Sequence, residues 1–233
     1  GVAASFALVV RTVVLQDVYG DAGREGAATA LRRHLERNVL PFARLYPPIL
    51  GFGACLLGPA LALAMPQYLE AAAPARLFLL GGAAIGLVGL ASMGVIAAGR
   101  QHQLPAISAV VLAGSIALSV VALLAGAGLE AVAAVSFLVQ VVYAGAVLRL
   151  NLREGGVARE GHFLIQLLLP LLWCTAAAVA AGHLASGATP LRMALALPIY
   201  LVLMVPAVPG IVREWRRVRG PAPRRLTGRA DAR

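Results

Sequence analysis

The chain has 233 residues, of which 60% are hydrophobic and 13% are charged, and its mean hydropathy is +0.84. A soluble domain of this length cannot bury so much apolar surface, so the composition excludes a soluble globular protein and predicts contact with lipid. The formal net charge of +10 would suggest nucleic acid in a soluble protein. Here the basic residues, all arginine, lie mainly between apolar stretches. They indicate orientation against an anionic membrane surface and no nucleic-acid partner.

The chain begins with a glycine, and residues 1–15 form an apolar run that Arg11 interrupts. The run is shorter than a membrane-spanning helix and lacks the basic flank of a signal peptide. We interpret it as the cut end of a transmembrane helix. This interpretation predicts that an N-terminal half of the same protein is missing and is a partner of the chain.

Residues 16–40 are rich in charge and predict an amphipathic connector helix. Apolar residues recur there at three- and four-residue spacing, which gives the helix one apolar face. Those residues are Ala27, Ala28, Leu31, Leu35 and Val39. Two interpretations stay open: a helix lying on the membrane surface and a solvated linker.

Six apolar stretches without a charged residue follow, at 45–65, 77–99, 104–127, 131–148, 163–182 and 193–212. Each is close to the roughly 20 residues that a helix needs to cross a hydrocarbon core of about 30 Å. They predict transmembrane helices at about 41–65, 77–99, 104–127, 129–150, 163–182 and 193–212. Pro47, Pro48 and Pro59 are expected to bend or interrupt the first of these helices. The predicted fold class is an all-α polytopic membrane bundle.

The arginines alternate between the gaps. The connector, the entrance to the first span, every second gap and the C-terminal tail hold 17 arginines, whereas the opposite gaps hold only Arg76 and Arg192. Cytoplasmic loops carry the excess of basic residues, so the pattern predicts a multi-pass protein with its C-terminus in the cytoplasm. Residues 213–233 are polar and basic and predict a disordered cytoplasmic tail. Membrane lipids are expected partners.

Polar side chains inside the spans are scarce, and they supply the candidate substrate-binding residues. Arg11 and Arg44 lie near the cytoplasmic ends of their helices, where they either meet a substrate or extend to the interface. Gln140 and Tyr143 lie one turn apart and, with Ser136, form the most polar stripe of any complete span. The stripe either lines a water-filled path or forms interhelical hydrogen bonds.

The sequence contains no catalytic constellation. It has no Ser/His/Asp set, no paired carboxylates in a polar context and no glycine-rich phosphate loop after a strand. The four histidines are scattered, and the two cysteines lie inside apolar spans without metal-ligand spacing. We therefore expect no enzyme activity, no metal and no cofactor.

Four stretches carry a resemblance to a known family. A charged connector at 23–38 leads into a proline-containing span, and residues 65–74 are similar to an outer loop of the form G-x-x-Y-x-x-A-x-P, with Pro66 in place of its glycine. Residues 96–101 are similar to an A-x-G-R inner turn. Residues 126–133 are similar to a G-x-x-G-A-A outer turn without its second glycine. Over about 21–150, the chain resembles the C-terminal half of polysaccharide and lipopolysaccharide biosynthesis flippases of the multidrug/oligosaccharidyl-lipid/polysaccharide exporter superfamily.

The resemblance implies that the chain is the C-terminal lobe of a two-lobed helical transporter with a central cavity. It implies a function as well: moving a lipid-linked oligosaccharide, carried on a polyprenyl diphosphate, across the bacterial inner membrane. An arginine-containing cavity would receive the diphosphate charge, and the two lobes would alternate access to it.

Three other functions stay open. A cation-coupled small-molecule exporter of the same fold would show an acidic residue buried in a span, and the six stretches contain none. A membrane-embedded glycan polymerase or ligase would carry a large outer loop, whereas the outer gaps are short. A purely structural membrane subunit fits the composition equally well.

Overall fold

The computed structural model describes residues 26–156, 160–185 and 195–219, and every element in these ranges is helical. In chain order the α-helices are α1 (Ala27–His34), α2 (Leu40–Ala64), α3 (Ala72–Ala97), α4 (Gln103–Leu124), α5 (Leu129–Glu154), α6 (Glu160–Leu184), α7 (Ala196–Met204) and α8 (Val208–Arg219). A π-helical turn, Leu35–Val39, joins α1 to α2. Short 3₁₀ segments, Pro66–Ala71 and Val205–Ala207, precede α3 and join α7 to α8. The predicted all-α fold is confirmed for these residues.

Six helical segments in the described ranges are long and apolar enough to cross a membrane. They are Ala28–Ala64, Pro66–Ala97, Gln103–Leu124, Leu129–Glu154, Glu160–Leu184 and Ala196–Arg216. This agrees with the six predicted spans and supports a membrane-spanning protein. The helices run back and forth, so the bundle has two ends. We name the end that carries Arg32, Arg100, Arg153 and Arg213 the arginine-rich end, and the end near Pro66–Ala71 and Gly126 the arginine-poor end.

Several helices extend beyond their predicted bounds. α3 begins at Ala72 rather than at 77, so Arg76 lies inside a helix and not in a gap. α5 continues to Glu154, which places Asn151 in a helix, and α8 continues to Arg219 through residues expected to be a disordered tail. Polar residues at these ends satisfy their backbone groups within the helix, so the hydrophobic boundary and the helix boundary differ. Residues 1–25 and 220–233 lie outside the described residues.

Three prolines do not interrupt α2. The helix runs from Leu40 to Ala64 with Pro47, Pro48 and Pro59 inside it, so the predicted interruption is absent. In a bundle, neighbouring helices support the segment where a proline removes one backbone hydrogen bond. The last span, in contrast, is interrupted at a proline: the 3₁₀ segment Val205–Ala207, which contains Pro206, separates α7 from α8.

The connector packs onto the bundle at the arginine-rich end. Its described part, α1 and the π turn, buries Leu31, Leu35 and Val39 to 3% exposure or less, and α1 contacts α3 and α5. His34 is buried as well: its Nε2 lies 3.0 Å from the carbonyl oxygen of Leu90 in α3. The amphipathic pattern of this segment therefore serves contact with protein along its apolar face.

Glycines close two of the turns in the pattern on which the resemblance rests. Gly99 and Gly126 follow α3 and α4 with φ of 73° and 74°, the left-handed region that side chains with a Cβ disfavour. At Gly99 the next amide, of Arg100, donates to the carbonyl of Val95 at 3.0 Å. This is the Schellman arrangement, which satisfies the last carbonyls of a helix. The A-x-G-R turn is therefore a helix C-cap.

Two apolar clusters hold the bundle together. The first joins the π turn, α2, α3, α5 and the first half of α6 around Leu87 and Leu148, both fully buried. The second joins α2, α3, α6 and α7 around Tyr200, with many alanines that let the helices approach closely. α4 packs chiefly on α5, and none of its residues is buried. In a membrane, lipid or another helix must cover it.

Candidate functional site: a cavity at an arginine–glutamate pair

A cavity of about 460 Å³ lies between α2, α6, α8 and the 3₁₀ segment Val205–Ala207. Its lining consists of Arg44, Pro48, Leu169, Pro170, Trp173, Cys174, Pro206, Ala207, Gly210 and Ile211. Arg44 is the single charged side chain in this lining. Arg44, in the second turn of α2, places one side of the cavity toward the arginine-rich end. The arrangement suits an amphiphile with an apolar part and one anionic group.

Arg44 forms an ion pair at the rim of the cavity. Its Nη1 donates to Oε2 of Glu214 in α8 at 2.8 Å, although the two residues are 170 positions apart in the sequence. The Glu214 side chain is fully buried, whereas the Arg44 side chain is 24% exposed. A carboxylate out of water needs a compensating positive charge, and the guanidinium of Arg44 supplies one to Glu214. The Arg44 side chain, unlike that of Glu214, is therefore partly open to its surroundings.

Prolines and a tyrosine shape the walls. Pro48 and Pro170 remove the amide donors that would serve the carbonyls of Arg44 and Gln166, one turn earlier in their helices. The Tyr200 hydroxyl donates to the carbonyl oxygen of Pro48 at 3.0 Å, and this packing requires Gly51, where a Cβ would meet the tyrosine ring. Trp173 donates through Nε1 to the carbonyl oxygen of Leu203 at 3.2 Å. These contacts attach α7 to α2 and α6 beside the cavity.

The structure does not bring the predicted site residues together. Arg44 lines the cavity. Gln140 packs against Gly81 of α3, and its Oε1 is buried without a hydrogen-bond partner among the described residues. The Tyr143 hydroxyl lies 2.7 Å from the Ser108 hydroxyl of α4. Gln140 and Tyr143 thus contact different neighbouring helices, and neither lines the cavity.

Arg11 lies outside the described residues. For Tyr143, the contact with Ser108 favours the interhelical hydrogen bond over the water-filled path, the two alternatives that the sequence left open for the polar stripe. Within the described part of the chain, Arg44 is the candidate that lines the cavity.

Sequence reasoning missed Glu214, which it assigned to the basic tail. A signal was present: Ala207, Ile211, Glu214 and Val218 recur at three- and four-residue spacing, which places the glutamate on the apolar face of the helix. It also missed Asn151, which is fully buried and donates from Nδ2 to the carbonyl oxygens of Ala91 at 2.7 Å and Val147 at 3.1 Å. Asn151 therefore joins α5 to α3.

A metal centre has no support in the described ranges, where no group of three or more His, Cys, Asp or Glu side chains is assembled. Comparisons of the chain with known protein families, with curated proteins and with solved structures find no match. The class that the structure itself defines is a membrane-spanning helical bundle.

Proposed function

We propose that the chain is part of a transporter that moves a polyprenyl-diphosphate-linked oligosaccharide from the inner to the outer leaflet of a bacterial inner membrane. The observation that carries the proposal is the apolar cavity of about 460 Å³ between the apolar helices, with Arg44 in its lining. The resemblance of residues 21–150 to polysaccharide flippases supports the same function. The proposal gives the chain no catalytic residue and no cofactor.

The cavity matches the chemistry of such a cargo. A prenyl chain is hydrocarbon and packs against the walls formed by Leu169, Trp173 and Ile211. A diphosphate cannot enter hydrocarbon unaided, and a guanidinium presents donors in a fork that fits phosphate oxygens. In the proposed mechanism, the diphosphate competes with Glu214 for Arg44. Binding of cargo then loosens α8 from α2, which couples the presence of cargo to a movement of the helices.

The first prediction concerns orientation. The arginine-rich end faces the cytoplasm in the proposed topology, because basic loops stay on that side. In a background with Cys55 and Cys174 replaced by alanine, we expect a membrane-impermeant thiol reagent to label Gln67→Cys in intact cells and not Gln101→Cys. Both positions are exposed, one at each end. Gln101→Cys should react after the membrane is opened. The reverse pattern would show that the topology is inverted.

The second prediction tests transport. Arg44→Gln should reduce surface polysaccharide about tenfold or more in cells that depend on this protein, since a hydrogen bond to a charged group contributes roughly 1.5–3 kcal/mol and 1.4 kcal/mol is a factor of ten. The double variant Arg44→Gln/Glu214→Gln also removes the buried carboxylate but still lacks the guanidinium. It should be stable and remain inactive. Normal surface polysaccharide in either variant, at equal protein levels, would refute the assignment of Arg44.

A second candidate function gains from one observation. A cation-coupled exporter of the same fold needs a carboxylate buried in a span, and the structure buries Glu214 in the last spanning segment. In that case Glu214 would take up a proton or sodium ion and release Arg44. Glu214→Gln would then abolish the dependence of transport on the ion gradient. For the flippase, the same change should leave cargo binding at Arg44 intact. Binding of a prenyl diphosphate to the purified Glu214→Gln protein therefore separates the two candidates.

A further inference from the structure

A second arginine lies between helices at the opposite end of the bundle. Arg76 is in the second turn of α3, and its guanidinium extends between α2 and α6. A Cβ on Gly58 of α2 would meet its Nη2, and a Cβ on Gly182 of α6 would meet its Nη1. Glycine at these two positions therefore leaves the room that the guanidinium occupies.

One donor atom of this guanidinium is buried without a hydrogen-bond partner in the described part of the chain. Its Nε is buried and has no hydrogen-bond partner, and no carboxylate pairs with it among the residues that the structure describes. Arg44, in contrast, has Glu214 at 2.8 Å. A buried charged donor without an acceptor costs free energy, so its retention between two helices suggests that an anion completes the site.

The position differs from that of an arginine that merely extends to the membrane surface. Gly58 lies six residues before the end of α2, which corresponds to about 9 Å along the helix axis. A snorkelling side chain would extend past the helix ends into water, whereas this one lies sideways against two glycines. Arg76 is nonetheless partly exposed. An anion can therefore approach it from one side.

Both arginines lie along α2. Arg44 belongs to that helix, and Arg76 contacts it at Gly58, fourteen residues further on. At 1.5 Å per residue the two points are about 21 Å apart along the axis, most of a hydrocarbon core of about 30 Å. One guanidinium thus lies toward each end of the same helix.

We propose that Arg76, with Gly58 and Gly182, forms a phosphate-binding site at the arginine-poor end of the bundle. The ligand class is a phosphate or diphosphate ester, whose oxygens the guanidinium fork would bind in two parallel hydrogen bonds. Resting on the proposed function, the physiological ligand is the diphosphate of the cargo at the end of its passage, after it has left Arg44. The headgroup of a bilayer phospholipid presents the same chemistry from another source.

The test measures binding to the purified full chain in detergent, without transport. The probes are a sugar-free polyprenyl diphosphate, phosphatidylglycerol and inorganic diphosphate, each titrated by native mass spectrometry and by thermal shift. To isolate this site from Arg44, every protein carries Arg44→Gln/Glu214→Gln. We expect Arg76→Gln to weaken binding of at least one probe about tenfold. Arg76→Lys should weaken it less, because it keeps the charge without the fork.

Arg100→Gln is the matched control. Arg100 is 47% exposed at the arginine-rich end and pairs with Glu154 at 3.4 Å. Its replacement should leave binding of every probe unchanged. The probe whose binding depends on Arg76 identifies the source, since phosphatidylglycerol reports the bilayer and the polyprenyl diphosphate reports cargo. Equal binding of all three probes by the Arg76→Gln, Arg76→Lys and parent proteins would overturn the proposal.

Folding and function are separated by the design. If Arg76→Gln fails to fold, Gly182→Ala is the second test variant. Its added methyl group displaces the guanidinium without removing the arginine. Gly182→Ala should also weaken binding of the probe that depends on Arg76. Unchanged affinity for that probe would count against the site. Failure of the transport test at Arg44 leaves the phosphate site at Arg76 standing, since inorganic diphosphate and phosphatidylglycerol are not cargo.

Discussion

Arg44→Gln should lower the free energy of unfolding by about 3 kcal/mol or more, because it removes a guanidinium that lies 2.8 Å from the fully buried carboxylate of Glu214. Glu214→Gln should destabilise less, since Arg44 is 24% exposed and its charge can turn toward water. The double variant should regain most of the loss, since two neutral amides need no compensating charge. Unfolding of the purified protein in detergent micelles by denaturant, followed by tryptophan fluorescence, measures these differences. The coupling free energy of the pair is the change in the double variant minus the sum of the changes in the two single variants.

The exposed pair Arg32–Glu36 is the control for this experiment. It is also formed by an arginine and a glutamate, at 3.1 Å, but its side chains are 64% and 51% exposed. Arg32→Gln should change stability by about 0.5 kcal/mol or less, as measured for surface pairs in helices. If Arg44→Gln were as mild as Arg32→Gln, the burial of Glu214 would not depend on the pair, and the proposed competition between cargo and Glu214 would lose its basis.

Gly94→Ala should destabilise the bundle by about 1–3 kcal/mol, the usual cost of forcing extra volume into a packed core. A Cβ at Gly94 in α3 would meet the Asn151 side chain of α5 and the Leu31 side chain of α1. Asn151 cannot give way cheaply, because its Nδ2 donates to the carbonyl oxygens of Ala91 and Val147. Thermal unfolding in micelles measures the effect.

Gly89→Ala, on the same helix, should change stability in the opposite direction. A Cβ at Gly89 has no neighbour within 4 Å, so alanine adds no clash there. Alanine is favoured over glycine inside a helix by up to about 1 kcal/mol, and Gly89→Ala should therefore raise the unfolding temperature. A stabilising Gly94→Ala would show that α1 and α5 do not approach α3 as closely as the structure has them.

Two glycines of α3 that are four residues apart in the sequence meet different neighbours. Gly82 and Gly86 form a small-xxx-small pattern, and the structure places Phe42 against Gly86, whereas the nearest contact at Gly82 is an ordinary 3.7 Å from Leu50. Gly86 is one of the closest approaches on α3, together with Gly81 and Gly94, whereas Gly82 is not. A four-residue spacing marks a helix face, but it does not say which neighbour that face meets. The spacing of small residues along α3 therefore does not predict its contacts with other helices.

The candidate site was predictable only in part. Arg44 was identified because a charge near an apolar span is costly and needs a reason. Gln140 and Tyr143 were grouped because they lie one turn apart, yet they contact α3 and α4 respectively. Residues three apart on a helix diverge by about 60° around its axis, enough to reach different neighbours. Periodicity along one helix carries no information on the helices packed around it.

The number of spans, the helical fold and the uneven distribution of arginine follow from the sequence alone. The physical reason is that hydrocarbon forbids unpaired backbone groups and unpaired charges, so spanning segments must be apolar helices and charges must lie at their ends. The tertiary structure alone decided the partners: Glu214 with Arg44 across 170 residues, Asn151 with α3, and Arg76 between Gly58 and Gly182. Such contacts depend on which faces of distant helices meet, and composition and local spacing are nearly the same for many alternative packings.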